Sequence, residues 1–363
     1  VFISQIEDSS LYPLNYVAGY NNVGIPAIHL SNKVADKLLG GFGWSRQSLQ
    51  ETMNRSLESI NFDIRGKTLK TNIGLKHIKT RAANVIGEIR SGNREYRDEY
   101  VVVGAHFDHV GKGGPGSGSR KPDQDAIHPG ADDNASGTAG LLEIAQKLAT
   151  QKSKLKRSVL LIGFDAEEMG LLGAKNFVKN PTVEIDKIIT MINMDMIGRM
   201  KDSTVTVGGV GTSSVFEPLL DSLRSGRGFN LSMSKPGFGP SDHAAFYSND
   251  VPVLFFFSGF HNEYHTPDDT WKHINLQGTT DIVNLVYDVA YHLTRVTRAP
   301  VFSEAGPKQA GTATGRRFKV TFGIMPSYGS IEVGVEVDAI SKMDGPASRA
   351  GIKKGDIIKS IDG

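Results

Sequence analysis

Cysteine is absent from the 363 residues. That excludes disulfides and thiolate chemistry, says nothing of the compartment, and leaves histidine and carboxylate as the ligands for any metal. Long apolar runs are absent too: no stretch approaches the roughly 18 residues that a membrane span needs, and no signal peptide is visible. The chain opens on Val1 rather than Met, so it reads as an excised fragment. Charge of one sign is scarce as well, and a net +2 gives no case for nucleic acid or an anionic membrane as partner. The densest basic run, "KSKLKR" at 152–157, falls between a helical and a strand-like stretch and reads as a solvated turn.

What is present is the composition of a soluble globular protein. A hydrophobic share of 39% allows a substantial core, over a length that suits one large domain plus something smaller. Apolar strand-like runs alternate with amphipathic helical ones: "NVIGEI" (84–89), "EYVVVGAHF" (99–107), a helix over 138–150, "SVLLIGF" (158–164) and the helical "LLGAKNFVKN". The pattern continues through "IITMINM" (188–194), "STVTVGG" (203–209), helices near 214–224 and 242–248, "VPVLFFF" (251–257) and a long helix over 275–297. Continuous apolar strands bounded by helices predict an α/β fold, a sheet covered on both faces with its chemistry at the carboxyl ends of the strands. A Gly-rich loop at 111–130 is expected beside that chemistry.

Five strand ends carry chemistry-bearing residues. "GAHFDHVG" places His106 and Asp108 two residues apart and so on one side, where the carboxylate can fix which imidazole nitrogen faces a metal; His109 points the other way and is not expected to be a ligand. "GADDNASG" sets two aspartates in a Gly-bounded turn, where Asp133 or Asn134 could equally cap the following helix. "FDAEEMG" doubles Glu167 and Glu168, which alone would read as an acidic first turn. "NMDMIG" leaves Asp195 among apolar neighbours, in need of a backbone cap or a cation, and "EYHTPDDT" puts His265 in a loop after a very apolar strand. Each has a structural reading by itself. Together they deliver only His, Asp and Glu, and two histidines with three carboxylates can hold two zinc ions if one carboxylate bridges. A further carboxylate, not a ligand, is needed to move a proton.

These motifs, in this order over about 62–298, resemble the dizinc aminopeptidases of the bacterial leucyl aminopeptidase and aminopeptidase Y family. The resemblance implies a three-layer αβα fold with a mostly parallel mixed sheet, as in zinc exopeptidases. It implies His106 and Asp195 on one zinc, Glu168 and His265 on the other, and Asp132 bridging. Glu167 would be the general base for a hydroxide held between the zinc ions, Asp108 the partner of His106 behind the metal, and Tyr264 a donor to the oxyanion. A cis peptide is implied between Asp132 and Asp133. "SDHAAFYS" (241–248) also looks like a family element: Asp242 and His243 would shape the substrate pocket, or Ser241 and Asp242 would cap a helix.

The flanks resemble domains attached to such peptidases. Residues 1–60 are similar to the latter part of a protease-associated (PA) domain, with Ser31 as a helix N-cap, and 61–298 form the catalytic domain. Residues 299–315 have linker composition, and 316–363 are similar to the beginning of a PDZ domain, with "FGIM" (322–325) near its carboxylate-binding loop. The resemblance implies peptide substrates with a free amino terminus, a peptide or protein ligand for the full-length PDZ domain, and export to the periplasm, cell surface or beyond. Other metals that accept histidine and carboxylate remain open. So do a glutaminyl cyclase, a carboxypeptidase-type relative, and a receptor-like binding protein on the same fold.

Overall fold

The computed structural model describes residues 30–63, 65–66, 68, 70, 80–114, 116–308, 322–326, 334–340 and 345–360. Residues 1–29 of the PA-like stretch and residues 309–315 of the linker lie outside them. The chain divides after Thr80 into two units. In the first, α1 (Asn32–Gly40) starts where the Ser31 hydroxyl accepts the Val34 N–H, and α2 (Arg46–Ser56) starts at a reciprocal Ser45–Ser48 capping box. These caps satisfy amide groups that the first helical turn leaves without partners.

The second unit is built on parallel strands that are apolar along most of their length. Its elements run β1 (Val85–Ile89), β2 (Tyr100–His106), α3 (Gly137–Thr150), β3 (Ser158–Phe164), α4 (Leu172–Lys179), β4 (Ile188–Met194), β5 (Thr204–Gly208), α5 (Phe216–Arg224), β6 (Asn230–Met233), α6 (His243–Tyr247), β7 (Val253–Phe257) and α7 (Leu276–Arg295). Among the described residues they form a seven-stranded sheet of order β1-β3-β2-β4-β7-β5-β6. Strands β3, β2, β4 and β7 are mutually parallel, β1 and β5 join antiparallel, and β6 pairs parallel with β5 at the edge. The sheet is therefore mixed but parallel at its centre, and four carboxyl ends lie side by side.

Pleat alternation sorts the side chains into two layers. Val101, Val103 and Ala105 of β2 pack with Leu141, Ile144 and Leu148 of α3 and with α5 and α7. Tyr100 and Val102 face the other way, onto Phe177 of α4 and Phe246 and Tyr247 of α6. Buried on both faces, these strands have no polar side to alternate, which is why they read as continuous apolar runs. The run at 152–157 is less solvated than its composition suggests. Arg157 at its end is buried, donates from Nε to Glu99 Oε2 at 2.7 Å, and lies over the Tyr96 ring. No helix among the described residues is long and apolar enough to cross a membrane.

Beyond α7, β8 (Ile324–Pro326), β9 (Val335–Ile340), α8 (Pro346–Arg349) and β10 (Ile357–Ile358) follow, and the strands form a separate antiparallel sheet in the order β10-β9-β8. Two contacts tie it to loops of the larger sheet. Arg120 donates to Ile340 O at 3.0 Å, and Lys354 donates to Phe260 O at 3.4 Å.

Gly104 shows how closely β2 meets its neighbours. A Cβ there would sit 2.5 Å from the Phe164 ring and 3.0 Å from the Met191 methyl. Gly104→Val should therefore destabilise by about 1–3 kcal/mol in urea unfolding, as overpacked cores do. A loss of less than about 0.5 kcal/mol would mean that Phe164 turns aside freely, since such a change lies within the range of ordinary surface substitutions.

Candidate metal centre

The four central parallel strands end beside one another, and each exit delivers part of the site. His106 closes β2, Glu167 and Glu168 follow β3, Asp195 follows β4, and His265 lies in the loop after β7. Three of these exits pass through the left-handed region: Ala166 at φ 56°, Met196 at φ 52° and His265 at φ 54°. Non-glycine residues pay for that conformation, and it turns the adjacent functional side chain sharply off the strand axis.

The aspartate turn at 131–136 enters this space ahead of α3. Its backbone is held from outside: the Asp269 carboxylate accepts the N–H groups of Asp132 and Asp133 at 3.0 and 3.1 Å. Asn134 fastens the turn to the β4 exit, donating to Met194 O at 3.0 Å and accepting the Met196 N–H at 3.2 Å. The peptide bond between Asp133 and Asn134 is cis, one position later than the resemblance implied.

The carboxylate shared between the two sides is likewise one position later. Asp133 Oδ1 is 3.3 Å from His106 Nε2, which is itself 3.4 Å from Asp195 Oδ1. Asp133 Oδ2 is 3.0 Å from His265 Nε2, which is also 3.0 Å from Glu168 Oε2. The resemblance put Asp132 in this position, and the structure corrects it. Asp132 faces away: its Oδ1 accepts the Gly198 N–H at 2.6 Å and the Ser136 hydroxyl at 3.0 Å, and its Oδ2 is 3.2 Å from His261 Nε2. Adjacent residues in a turn project differently, and the stretch "DD" does not say which one looks inward.

Two further residues were missed. His109, set aside as pointing away, brings Nδ1 within 2.8 Å of Glu168 Oε1, so that His109, Asp133, Glu168 and His265 form one four-donor group and His106, Asp133 and Asp195 another. The strand ends at His106, so strict alternation no longer governs His109. Asp269 was inside a quoted motif without a role, and a second acidic residue after "TP" was the available signal.

Both inner histidines have their tautomer set from behind. His106 Nδ1–H donates to Asp108 O at 3.1 Å, and His265 Nδ1–H donates to Gly118 O in the Gly-rich loop at 3.0 Å. Each therefore turns Nε2, the nitrogen with a lone pair in the neutral ring, toward carboxylates that are also acceptors. Something positive must lie between them. In the metal-free chain it is a proton. Burial alone would lower the His265 imidazole, but Asp133 and Glu168 outweigh it and push it up to about 10. His106 is likewise held well above its usual value, against burial, by Asp195, Asp108 and Asp133. Burial would raise Asp133, yet the two imidazoles hold it far below the ordinary carboxylate range.

The neighbouring groups differ in role. The Asp108 carboxylate, 3.6 Å from His106 Nδ1, makes its shorter contacts with the Glu167 and Glu168 N–H groups, at 2.9 and 3.2 Å. It thus aims both glutamates. Glu167 is pushed well above its usual value, first by burial, then by the charges of Asp195, Asp242 and Glu168, with His106 opposing. The Tyr264 ring stacks on His265 at 3.9 Å between centroids. Asp242 is fully buried and pushed up to about 8 by burial, and His243 is pushed down to about 3 where it stacks on Phe255. Neither Ser241 nor Asp242 caps α6 with its side chain; the Ser241 hydroxyl accepts from Asn193 instead, at 2.7 Å.

An αβα sheet that gathers two histidine and carboxylate groups around one shared aspartate is a scaffold for a metal-dependent hydrolase. The chain belongs to Peptidase family M28, whose model matches residues 84–290, more than half of it. It is 29% identical over 229 residues to aminopeptidase YwaD of Bacillus subtilis (strain 168), a match covering 60% of this chain and 46% of that protein. It is 30% identical over 224 residues to an aminopeptidase of Pseudomonas aeruginosa (strain UCBPP-PA14), covering 59% and 37%. Among solved structures it is similar to BSAP, a zinc aminopeptidase from Bacillus subtilis, at TM-score 0.49 and 26% identity over 61% of this chain and 53% of that one. The chain spans less than half the length of either curated relative.

Because the inner imidazoles hold protons that a metal must replace, adding zinc to the metal-free chain at pH 7 should release protons and bind more tightly as pH rises. A pH-indicator titration in weak buffer checks this. Zinc uptake without acidification would show that His106 and His265 were already neutral.

Proposed function

We propose that this chain is a metal-dependent aminopeptidase holding two zinc ions, one between His106, Asp195 and Asp133 and the other between His265, Glu168 and Asp133. The observation that carries it is the division of Asp133, one oxygen to each histidine. The donor set suits zinc: nitrogen and oxygen only, with His265 Nε2 buried and 3.0 Å from both Asp133 Oδ2 and Glu168 Oε2. Zinc bound there would supply Lewis acidity, polarising a peptide carbonyl and making water acidic enough to react near neutral pH.

The chain's own groups supply the rest. Glu167 shares its turn with Glu168 but belongs to neither donor group, so it is placed to take a proton from the attacking water and return it to the departing amine. The Asp108 clamp on both backbone N–H groups keeps the two glutamates in separate roles. Tyr264, stacked on His265, is placed to donate to the developing oxyanion. His109 holds Glu168 from the outer side. The named relatives support peptides with a free amino terminus as the substrate class. Export, a PA-like origin for 1–60 and a PDZ-like origin for 316–363 with a peptide ligand for the complete module belong to the same proposal and rest on the resemblance.

Glu167→Gln should lower kcat by roughly 10²–10⁴-fold on an aminoacyl reporter while zinc content by elemental analysis is unchanged, since proton transfer contributes on that order. Glu168→Gln should lose zinc instead. Near-normal turnover in Glu167→Gln would remove the assignment, and cleavage of amino-acetylated substrates at equal rates would remove the free-amine requirement.

The two aspartates separate in the same assay. Asp133→Asn should lose zinc from both positions, whereas Asp132→Asn should keep its zinc stoichiometry and lose thermal stability. The opposite pattern would restore Asp132 as the shared ligand.

A further inference from the structure

Beside the metal centre, Arg199, Lys201, Phe260, His261, His273 and Lys354 line a cavity of about 240 Å³ that also takes in Met200, Ser258 and Asn275. We propose that this cavity receives a carboxylate of the peptide substrate, which deepens the aminopeptidase reading and rests on it. Its wall carries three permanently cationic side chains and no carboxylate. The acidic groups behind it are already committed: Glu263 accepts from Arg199 Nη2 at 2.9 Å and lies 3.2 Å from His261 Nδ1, and Asp132 Oδ2 lies 3.2 Å from His261 Nε2 and belongs to the turn at the metal centre. Arg199 is fixed rather than trailing in solvent: its backbone N–H meets the Ser258 hydroxyl at 3.0 Å. Its Nη1 is buried without a hydrogen-bond partner among the described residues. A charged donor left so is costly, and a carboxylate is the planar acceptor that a guanidinium fits.

Size and position select the ligand further. Pockets for whole small molecules run from roughly 300 Å³ upward, so this one suits a side chain or a chain end rather than a complete peptide. Arg199 lies four residues past Asp195, and Phe260 packs on Tyr264, which stacks on His265. A peptide held at the metal centre thus has this wall as a neighbour. Lys354 comes from the segment beyond α8 and touches Phe260 O, so the C-terminal sheet contributes one of the three cations.

The carboxylate can come from three places on a peptide, and substrates distinguish them. Leu-Leu-amide is the neutral reference; Leu-Leu carries a C-terminal carboxylate, Leu-Glu-amide an acidic second residue and Glu-Leu-amide an acidic first residue. At least one of the three should exceed the reference in kcat/KM at low salt. Charge reversal of the exposed pair, Lys201→Glu with Lys354→Glu, should raise its KM about tenfold with kcat and the reference held within about twofold, the size expected of two close charges. The milder Lys201→Gln with Lys354→Gln should fall between and guards against misfolding. Equal handling of all four peptides, or a preference that survives charge reversal, overturns the proposal while leaving the aminopeptidase reading intact. If none of the four is cleaved, that reading fails instead. Calorimetric binding of the same peptides to the same proteins then decides the cavity: a carboxylate preference lost on charge reversal supports it, and its absence in the unaltered chain overturns it.

Discussion

The buried carboxylate of Asp133, with an imidazole at each oxygen, is the constraint around which the rest of the second unit is arranged. Asp108, Asp133, Glu167, Glu168 and Asp195 crowd one low-dielectric space, where like charges cannot all persist without compensation. Two protonated imidazoles supply part of it in the metal-free chain, which is why both histidines are pushed up while Asp133 is pushed down. Those shifts describe an exchangeable proton at each of the two histidines. A group of acceptors arranged around protonated imidazoles is already organised for a metal, because a doubly charged ion in place of the protons would invert the local titration.

Holding such a cluster requires a frame that does not yield to its repulsion. The four parallel strands provide one, with β2 and β4 almost wholly buried and each exit turned by a strained residue. Left-handed conformations at Ala166, Met196 and His265 cost about 1–3 kcal/mol each, an expense the interlocked sheet can bear and an isolated loop could not. Second-layer groups then lock what the strain aims. Asp269 holds the aspartate turn from below, Asn134 pins it to the β4 exit, and Asp108 holds the glutamates.

Much of this was legible in the amino-acid sequence because the parallel core writes a simple pattern. Mostly apolar runs marked β2, β3, β4 and β7 closely, and the His, Asp and Glu residues at or after their ends marked the site. The losses occurred where chemistry depends on direction rather than on residue type. Asp132 and Asp133 are alike in sequence, and only the fold of the turn shows which faces the histidines. His109 was misjudged by extending strand alternation past the end of β2. The edge strand β6, short and half exposed, carries no continuous apolar run. Arg157 was read by the company of its basic neighbours, whereas its burial follows from Glu99 and Tyr96, which lie far away along the chain.

Displacing Asp132 from the shared position gives it another place in the structure. From Asp132 a line of polar contacts runs outward through His261 and Glu263 to Arg199, at 3.2, 3.2 and 2.9 Å. Through these contacts Arg199 at the cavity wall is connected to the same turn that presents Asp133 to the histidines. The doubled aspartate thus parallels the doubled glutamate at 167–168: in each pair one carboxylate belongs to the donor groups and its neighbour does not. Adjacent positions on a tight turn make that possible, because successive side chains diverge and a single backbone anchor, Asp269 for one pair and Asp108 for the other, fixes both directions at once. A shift of the aspartate turn would therefore move carboxylates on both sides, Asp133 at His265 and Asp132 at His261 beside the basic cavity.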